Sequence, residues 1–191
     1  MVMRQYLGPR PPFDYQVERH NSQWTEHIAR TNVTAGLIAW LGPGSVIDPA
    51  CGDGSIVLSA DRISPIERIV LADISQPNCE AISRLGHEAV VGDIMTMLSG
   101  DEVFGLVVLT EVLEHLERPD DVLKAARLVG RSLIASSPQM RPGQVDTNQE
   151  HLWMFDSDGY REMLMATGWK PFFKAVMEFP SEYDFQIWVC R

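Results

Sequence analysis

The chain has 191 residues, 45% of them hydrophobic and 22% charged, with a formal net charge of -10. That size and apolar content suit one globular domain with a proper core, and the acidic balance excludes most polyanionic partners because no run of Lys and Arg offsets it. No apolar run approaches the roughly 20 residues needed to span a bilayer, and the opening segment, Arg4 followed by Gly8-Pro9-Arg10-Pro11-Pro12, has no signal-peptide core, so a soluble cytoplasmic protein is expected, with no membrane or nucleic-acid partner. Cys51, Cys79 and Cys190 lack paired CxxC spacing and read as small buried hydrophobes rather than a disulfide framework or a zinc site.

Residues 1–21 read as an irregular arm rich in proline and charge, of which only the last part should dock on a body formed by residues 22–191. A first helix is expected over 22–41, where Val33, Leu37, Trp40 and Leu41 recur at helical spacing and Gly42-Pro43-Gly44 ends the pattern. Ser45 to Ser55 then reads Ser-Val-Ile-Asp-Pro-Ala-Cys-Gly-Asp-Gly-Ser: a short buried strand, an acid and a turn of small residues that lets backbone N–H groups approach a ligand. Later strands are expected at Arg68–Asp73, Glu88–Val91, Phe104–Thr110 and Ser132–Ser136. Helices fall between them, one with Pro77 at its start, Ile82 and Leu85 on one face and Gly86 past its end, another opened by Pro119, Asp120 and Asp121. After Asp156, the residues Tyr160, Met163 and Leu164 share a helical face ended by Gly168. Phe172–Phe179 and Phe185–Cys190 read as two strands of an antiparallel hairpin. The alternation implies right-handed crossovers and a parallel sheet covered on both faces.

Four motifs in order carry a family resemblance over about Val46 to Arg191: Val-Ile-Asp48-Pro-Ala-Cys-Gly52-Asp-Gly54, Leu-Ala-Asp73, Gly92-Asp93-Ile94 and Thr110-Glu111-Val-Leu-Glu114-His115-Leu. The chain resembles the class I S-adenosylmethionine-dependent methyltransferases. The resemblance implies a single α/β Rossmann-like domain with a seven-stranded, mostly parallel sheet, an antiparallel C-terminal strand and helices on both faces. It also implies S-adenosylmethionine as cofactor, S-adenosylhomocysteine as product, and Asp48, Ala50, Cys51, Gly52, Asp53, Gly54, Asp73, Ile74, Asp93, Ile94, Thr110 and Glu111 as the cofactor-binding set. Asp73, about 20 residues beyond Gly54 at a strand end, is where an acid accepts both ribose hydroxyls; its alternative is a helix N-cap. The resemblance sets Asp93 and Ile94 against the adenine, with a plain turn aspartate as the alternative. Ala50 replaces the first glycine usual in the motif without removing a backbone donor, and Gly105 stands where many members carry Asp.

Glu111, Glu114 and His115, at i, i+3 and i+4, would share one face of a helical turn beside the reacting methyl. His115 and His151 are the candidate general bases for an acceptor oxygen or nitrogen. Ubiquinone-type O-methyltransferases and small-RNA 3′-terminal methyltransferases hold a divalent metal with a similar set, here Glu111, Glu114, His115 and His151, and mixed oxygen and nitrogen ligands suit magnesium or manganese; no metal is assigned, since many relatives share Glu-His-Leu without one. The expected function is methyl transfer to an oxygen or nitrogen of a small-molecule acceptor. Its alternatives are a metal-assisted O-methyltransferase and, in another class, a non-catalytic cofactor-binding regulator. A dinucleotide-binding dehydrogenase is disfavoured because its fingerprint would read Gly52-x-Gly54-x-x-Val57, with valine at the close helix–strand contact. A DNA adenine methyltransferase is disfavoured because Thr110-Glu111-Val112 stands in place of its second motif. Trp24, His27 and Trp153 are candidate linings of the acceptor pocket, with the N-terminal arm and the polar loop Ser136–Glu150 as its lid, and Arg30 and Arg141 are candidates for greeting an acidic acceptor.

Overall fold

The computed structural model describes residues 3–9, 18, 20, 25–180 and 184–191. Its strands are β1 (Arg4–Tyr6), β2 (Ser45–Asp48), β3 (Arg68–Asp73), β4 (Val90–Val91), β5 (Phe104–Thr110), β6 (Gly130–Gln139), β7 (Trp153–Phe155), β8 (Pro171–Met177) and β9 (Asp184–Cys190). Its helices are α1 (Thr25–Leu41), α2 (Ser55–Ile63), α3 (Gln76–Arg84), α4 (Ile94–Met97), α5 (Pro119–Val129) and α6 (Ser157–Ala166), with one 3-10 turn at Leu113–His115. Seven strands form one sheet in the order β4-β3-β2-β5-β6-β9-β8, and β9 runs antiparallel to both of its neighbours. The expected terminal hairpin is therefore present, but its second strand inserts between β6 and β8 and leaves β8 at the edge.

Both faces of the sheet are covered, as unbroken apolar runs in parallel strands require. Because side chains alternate along a strand, Ile47, Val107, Leu109 and Leu133 pack with α4, α5 and α6, whereas Val46, Leu106, Val108 and Ile134 pack with α1 and α2. The helix starts follow local chemistry: Ser75 Oγ accepts from Asn78 N ahead of α3, and Asp156 accepts from Gly159 N ahead of α6. Among the described residues no helix is long and apolar enough to cross a membrane.

Several expectations need correction. The buried face of α1 is Arg30, Thr31, Thr34, Ala35 and Ile38, while Val33 and Trp40 point outward. Its inner stripe sets threonines and an arginine beside Ala35 and Ile38, with Leu37 and Leu41 packed against the same core, so hydrophobic spacing captures only part of the buried face. Trp40 instead meets Phe173 of the edge strand, ring centroids 6.1 Å apart. Leu85 caps α3 and is exposed, because the helix ends before the turn that would carry it inward. The strand expected at Glu88–Val91 shortens to two exposed residues at the sheet edge, and Ser132–Ser136 lengthens at both ends to pair with β5 and β9. Gly105 is accommodated rather than replaced: an added Cβ would lie 3.1 Å from Ser45 O, and Gly105 N donates to Ser45 Oγ at 2.9 Å.

The arm docks through its beginning. β1 pairs antiparallel with β7, Leu7 N donates to Leu152 O at 2.8 Å, Met3 N donates to Asp156 Oδ2 at 2.9 Å, and Arg4 forms an ion pair with Asp120. Docking is not confined to the arm's last part, since a three-residue strand gains a partner only when β7 is brought to it by the distant loop. The expected candidate Trp24 lies outside the described residues. Gly159 is what admits this strand, for a Cβ there would stand 2.2 Å from Met3 O. Gly159→Ala is expected to detach β1, read as fast hydrogen exchange at Leu7 N–H and tryptic cleavage near Arg4; protection equal to the parent protein would refute the close-approach argument.

Candidate active site

The carboxyl ends of β2, β3 and β5 converge at the point where strand order reverses, and the cradle residues stand there. Gly52 and Gly54 adopt φ of 56° and 71°, a left-handed backbone that suits glycine, and the space beyond Gly54 is closed by Ile82. The turn is pinned to β3 twice: Cys51 N donates to Ala72 O at 2.9 Å, and Gly52 N donates to Asp73 Oδ2 at 2.7 Å. Asp73 Oδ1 accepts from Ser75 N at 2.8 Å. Asp73 therefore organises the cradle as well as ending its strand, and Ser75, not Asp73, caps α3. The Cys51 side chain is buried in the α1/α2 core, so this residue offers only its main chain. Asp53 Oδ1 accepts from Ser55 N at 3.0 Å, and Asp53 lies beside a cleft of about 380 Å³ between α2 and α3 that His20 and Arg84 also line.

Near the expected adenine side, Asp93 Oδ1 accepts from Met95 N and Thr96 N as the N-cap of α4, which agrees with the simpler turn role. Ile94 is buried in the α4/α5/α6 core; the exposed apolar residues here are Ile74 and Met95. Gly92 N donates to Asp73 O at 3.0 Å, joining this turn to the cradle.

Beyond β5, Thr110 is nearly buried and Glu111 takes φ of 52°, the one non-glycine with positive φ among the described residues. Held strain of this kind costs about 1–3 kcal/mol and marks places where the fold over-determines the backbone. Glu111 N donates to Ser136 O at 3.1 Å, Ser136 Oγ donates to Glu111 Oε1 at 2.6 Å, and Arg30 Nη1 lies 3.5 Å from the same oxygen. This geometry turns Glu111 away from the following 3-10 turn, so Glu111, Glu114 and His115 do not share one face. Arg30 is buried against Glu111 and Phe185, and Arg141 is held by both oxygens of Asp184 at 2.8 and 2.5 Å. Arg30 is thus buried, and Arg141, though exposed, has its guanidinium engaged by Asp184. His27 stacks edge-on with Phe185, whereas Trp153 packs on Tyr6 and donates its indole N–H to Leu116 O at 2.9 Å.

His115 and His151 come together, ring centroids 4.8 Å apart at 72°. Their segments are stapled by Leu152 N to Glu114 O at 2.7 Å and by His115 Nδ1 to Glu150 O at 2.9 Å. A carbonyl can only accept, so His115 carries its proton on Nδ1 and keeps its basic lone pair on Nε2. Glu114 is buried with no hydrogen-bond partner for either carboxylate oxygen, and burial pushes its pKa up to about 7, with His151 and Arg30 opposing. Glu114, His115 and His151 are the one group of metal-capable side chains gathered among the described residues, with ligand atoms within 4.8 Å of one another.

Residues 47–132 match a family model described as a methyltransferase domain. The matched segment is a methyltransferase domain, and the chain has the fold of S-adenosylmethionine-dependent methyltransferases. The sheet order is that of these enzymes, and the residues present fit S-adenosylmethionine: a glycine turn with left-handed backbone, a helix N-terminus behind it and an acid at the adjacent strand end. Among solved structures, this methyltransferase is similar to the cyclase SpnF (15% identity over 86% of this chain and 80% of that one, TM-score 0.72). It is also similar to a 1,6-didemethyltoxoflavin-N1-methyltransferase from Burkholderia thailandensis with bound S-adenosylhomocysteine (16%, 90% and 86%, TM-score 0.70). A magnesium protoporphyrin IX methyltransferase from Synechocystis, also with S-adenosylhomocysteine, gives 14%, 92% and 88%, with a TM-score of 0.68. At these identities the likeness is one of fold. No curated protein matches the sequence.

The buried charges of this methyltransferase set its response to pH. Burial pushes Asp48 up to about 8 from 3.8, with Asp73 adding to it and Ala50 N and Arg30 opposing, and Glu114 rises from 4.5 to about 7. His151 is also raised, because the hydrogen bond to Asp146 and the Glu114 charge together outweigh desolvation. All three bind protons more tightly folded than unfolded, so their contribution is lost as pH rises through the folded values. Burial instead lowers His27 from 6.5 to about 4, which adds stability as pH rises but is complete above 6.5. Thermal unfolding of the ligand-free protein is therefore expected to shift to lower temperature between pH 6.5 and 8. A melting temperature that rises across this window would contradict the assignment.

Proposed function

We propose that this methyltransferase, formed by residues 22–191 with 1–21 as an added arm, methylates an oxygen or nitrogen of a small-molecule acceptor, with His115 as general base. The observation that carries the reading is the Glu150 carbonyl on His115 Nδ1, which leaves Nε2 as the basic atom on the turn that follows β5. When bound, S-adenosylmethionine supplies an electrophilic methyl group. The residues do the rest. Gly52 and Gly54, whose N–H groups are held by Asp73 Oδ2 and Cys51 O, give the turn its close-approach path, the N-terminus of α2 faces the amino-acid tail, Asp48 and Asp53 set the acidic floor of the turn, and Asp73 with Ile74 takes the ribose. Asp93 Oδ2 addresses the adenine amine, and Thr110 with the strained Glu111 shapes the wall between cofactor and acceptor. His115 accepts the acceptor's proton at Nε2 as the in-line attack proceeds. Net charge of -10 supports a small acceptor over nucleic acid, and three buried, unpaired cysteines support a cytoplasmic setting. An acceptor screen with methyl-labelled S-adenosylmethionine and a small-metabolite extract tests this: one product heavier by a single methyl is expected, and labelling of protein or nucleic acid alone would refute it.

A second reading places a divalent cation between Glu114, His115 and His151, favoured by the two unpartnered oxygens of Glu114. Metal–ligand distances of about 2.1 Å would require the three donors to draw slightly closer, and Glu111, the expected fourth ligand, is directed at Ser136 and Arg30. We expect turnover to survive exhaustive chelation; a loss of activity restored by magnesium or manganese would establish the metal-assisted reading instead.

A further inference from the structure

The loop between β6 and β7 carries an arrangement that the reading above leaves unused. Asp146 is buried, its Oδ2 lies 2.6 Å from His151 Nδ1, and its Oδ1 accepts from Asn148 N at 2.9 Å. Asn148 in turn sets its Nδ2 3.1 Å from His151 Nε2 and accepts Glu150 N at Oδ1, 2.9 Å away. Two side chains of one loop thus grip both ring nitrogens of one buried imidazole. A carboxylate on Nδ1 selects the tautomer protonated there, and the Asn148 carboxamide then donates to Nε2.

Such an arrangement is costly in a loop without regular structure, where an apolar side chain would pack as well without desolvating a carboxylate. What it supplies is orientation. The gripped ring meets His115 edge-on, and the residue before it provides the carbonyl that holds His115 Nδ1. His115 therefore has two contacts with this loop, and both depend on how residues 146–151 are held.

We propose that Asp146 is a positioning residue for methyl transfer, acting through His151 to hold the His115 imidazole in its working orientation. The proposal rests on His115 as the base. It differs from a packing role because it requires the carboxylate, not merely a side chain of that size. Asp146→Asn keeps the shape and an acceptor for Asn148 N, but can present an amide N–H to Nδ1 and so release the tautomer.

The test uses the full chain with nitrogen-15-labelled histidine, as parent, Asp146→Asn, Asp146→Glu and Asp146→Ala, with proton–nitrogen correlation spectra at one fixed pH. The expected result is a His151 signal of the Nδ1–H tautomer in the parent, a shift toward Nε2–H in Asp146→Asn and Asp146→Ala, and an accompanying change in the His115 ring signals. Asp146→Glu should restore part of both. Labelling of the metabolite extract by methyl-labelled S-adenosylmethionine should fall roughly 10- to 100-fold in Asp146→Asn, while cofactor affinity by calorimetry stays within about twofold of the parent. Unchanged His115 signals in the Asn and Ala variants, or an altered tautomer with an unaltered labelling rate, would overturn the proposal. The base assignment fails separately: His115→Ala labelling at the parent rate removes that reading, while the spectra still decide whether Asp146 sets the two rings.

Discussion

Asp73→Ala is expected to weaken binding of S-adenosylmethionine and S-adenosylhomocysteine by at least about 100-fold, close to 3 kcal/mol, as measured by calorimetry. Two losses combine. The ribose assigned to Asp73 loses its acceptor, and Gly52 N and Ser75 N, both now bonded to the carboxylate, lose theirs. Each buried donor left unmade costs about 1–3 kcal/mol, so part of the effect should appear without ligand as a lowered unfolding midpoint. Asp73→Asn separates the two, since it keeps one acceptor oxygen and the side-chain volume. It should retain most of the stability and lose a larger share of the affinity. Micromolar binding by Asp73→Ala, indifferent to the substitution, would dispose of the ribose assignment.

His115→Ala is expected to leave cofactor affinity unchanged and to reduce methyl transfer by about 100- to 10,000-fold, the range of a lost general base. The separation follows from position. His115 stands on the turn after β5 and is tied to the loop at Glu150, whereas the cradle is tied to β3 through Asp73 and Ala72. Single-turnover assays with each acceptor found in the screen would show the loss in the chemical step. Equal loss of affinity and rate would mean that the ring supports the site's shape rather than its chemistry.

The features legible in the sequence were those made by neighbours along the chain. The cradle at Asp48–Gly54, the acid at Asp73, the extents of Arg68–Asp73 and Phe104–Thr110, and the buried face of Tyr160, Met163 and Leu164 all follow from strand periodicity, small residues at a turn and helical spacing. Misreadings arose where a strained residue changes direction within one or two positions. The left-handed Glu111 breaks the i, i+3, i+4 face expected to carry it. The buried threonines of α1 carry no hydrophobic signal, so spacing found Leu37 and Leu41 but not the rest of the inner face.

By itself, then, the sequence determined the layered α/β plan, the glycine turn after β2 and the methyltransferase domain, because each rests on contacts within a strand, a turn and the helix that follows. The tertiary structure alone decided that Arg4–Tyr6 pairs with Trp153–Phe155, that Arg30 is buried against Glu111, that Arg141 belongs to Asp184, and that Asp146 grips the histidine beside His115. Most of these contacts join residues far apart in the chain, and the Asp146–His151 pair, though local, gains its meaning only when the loop folds onto the turn after β5. Residue type sets what a buried charge can do; packing between distant segments chooses its partner.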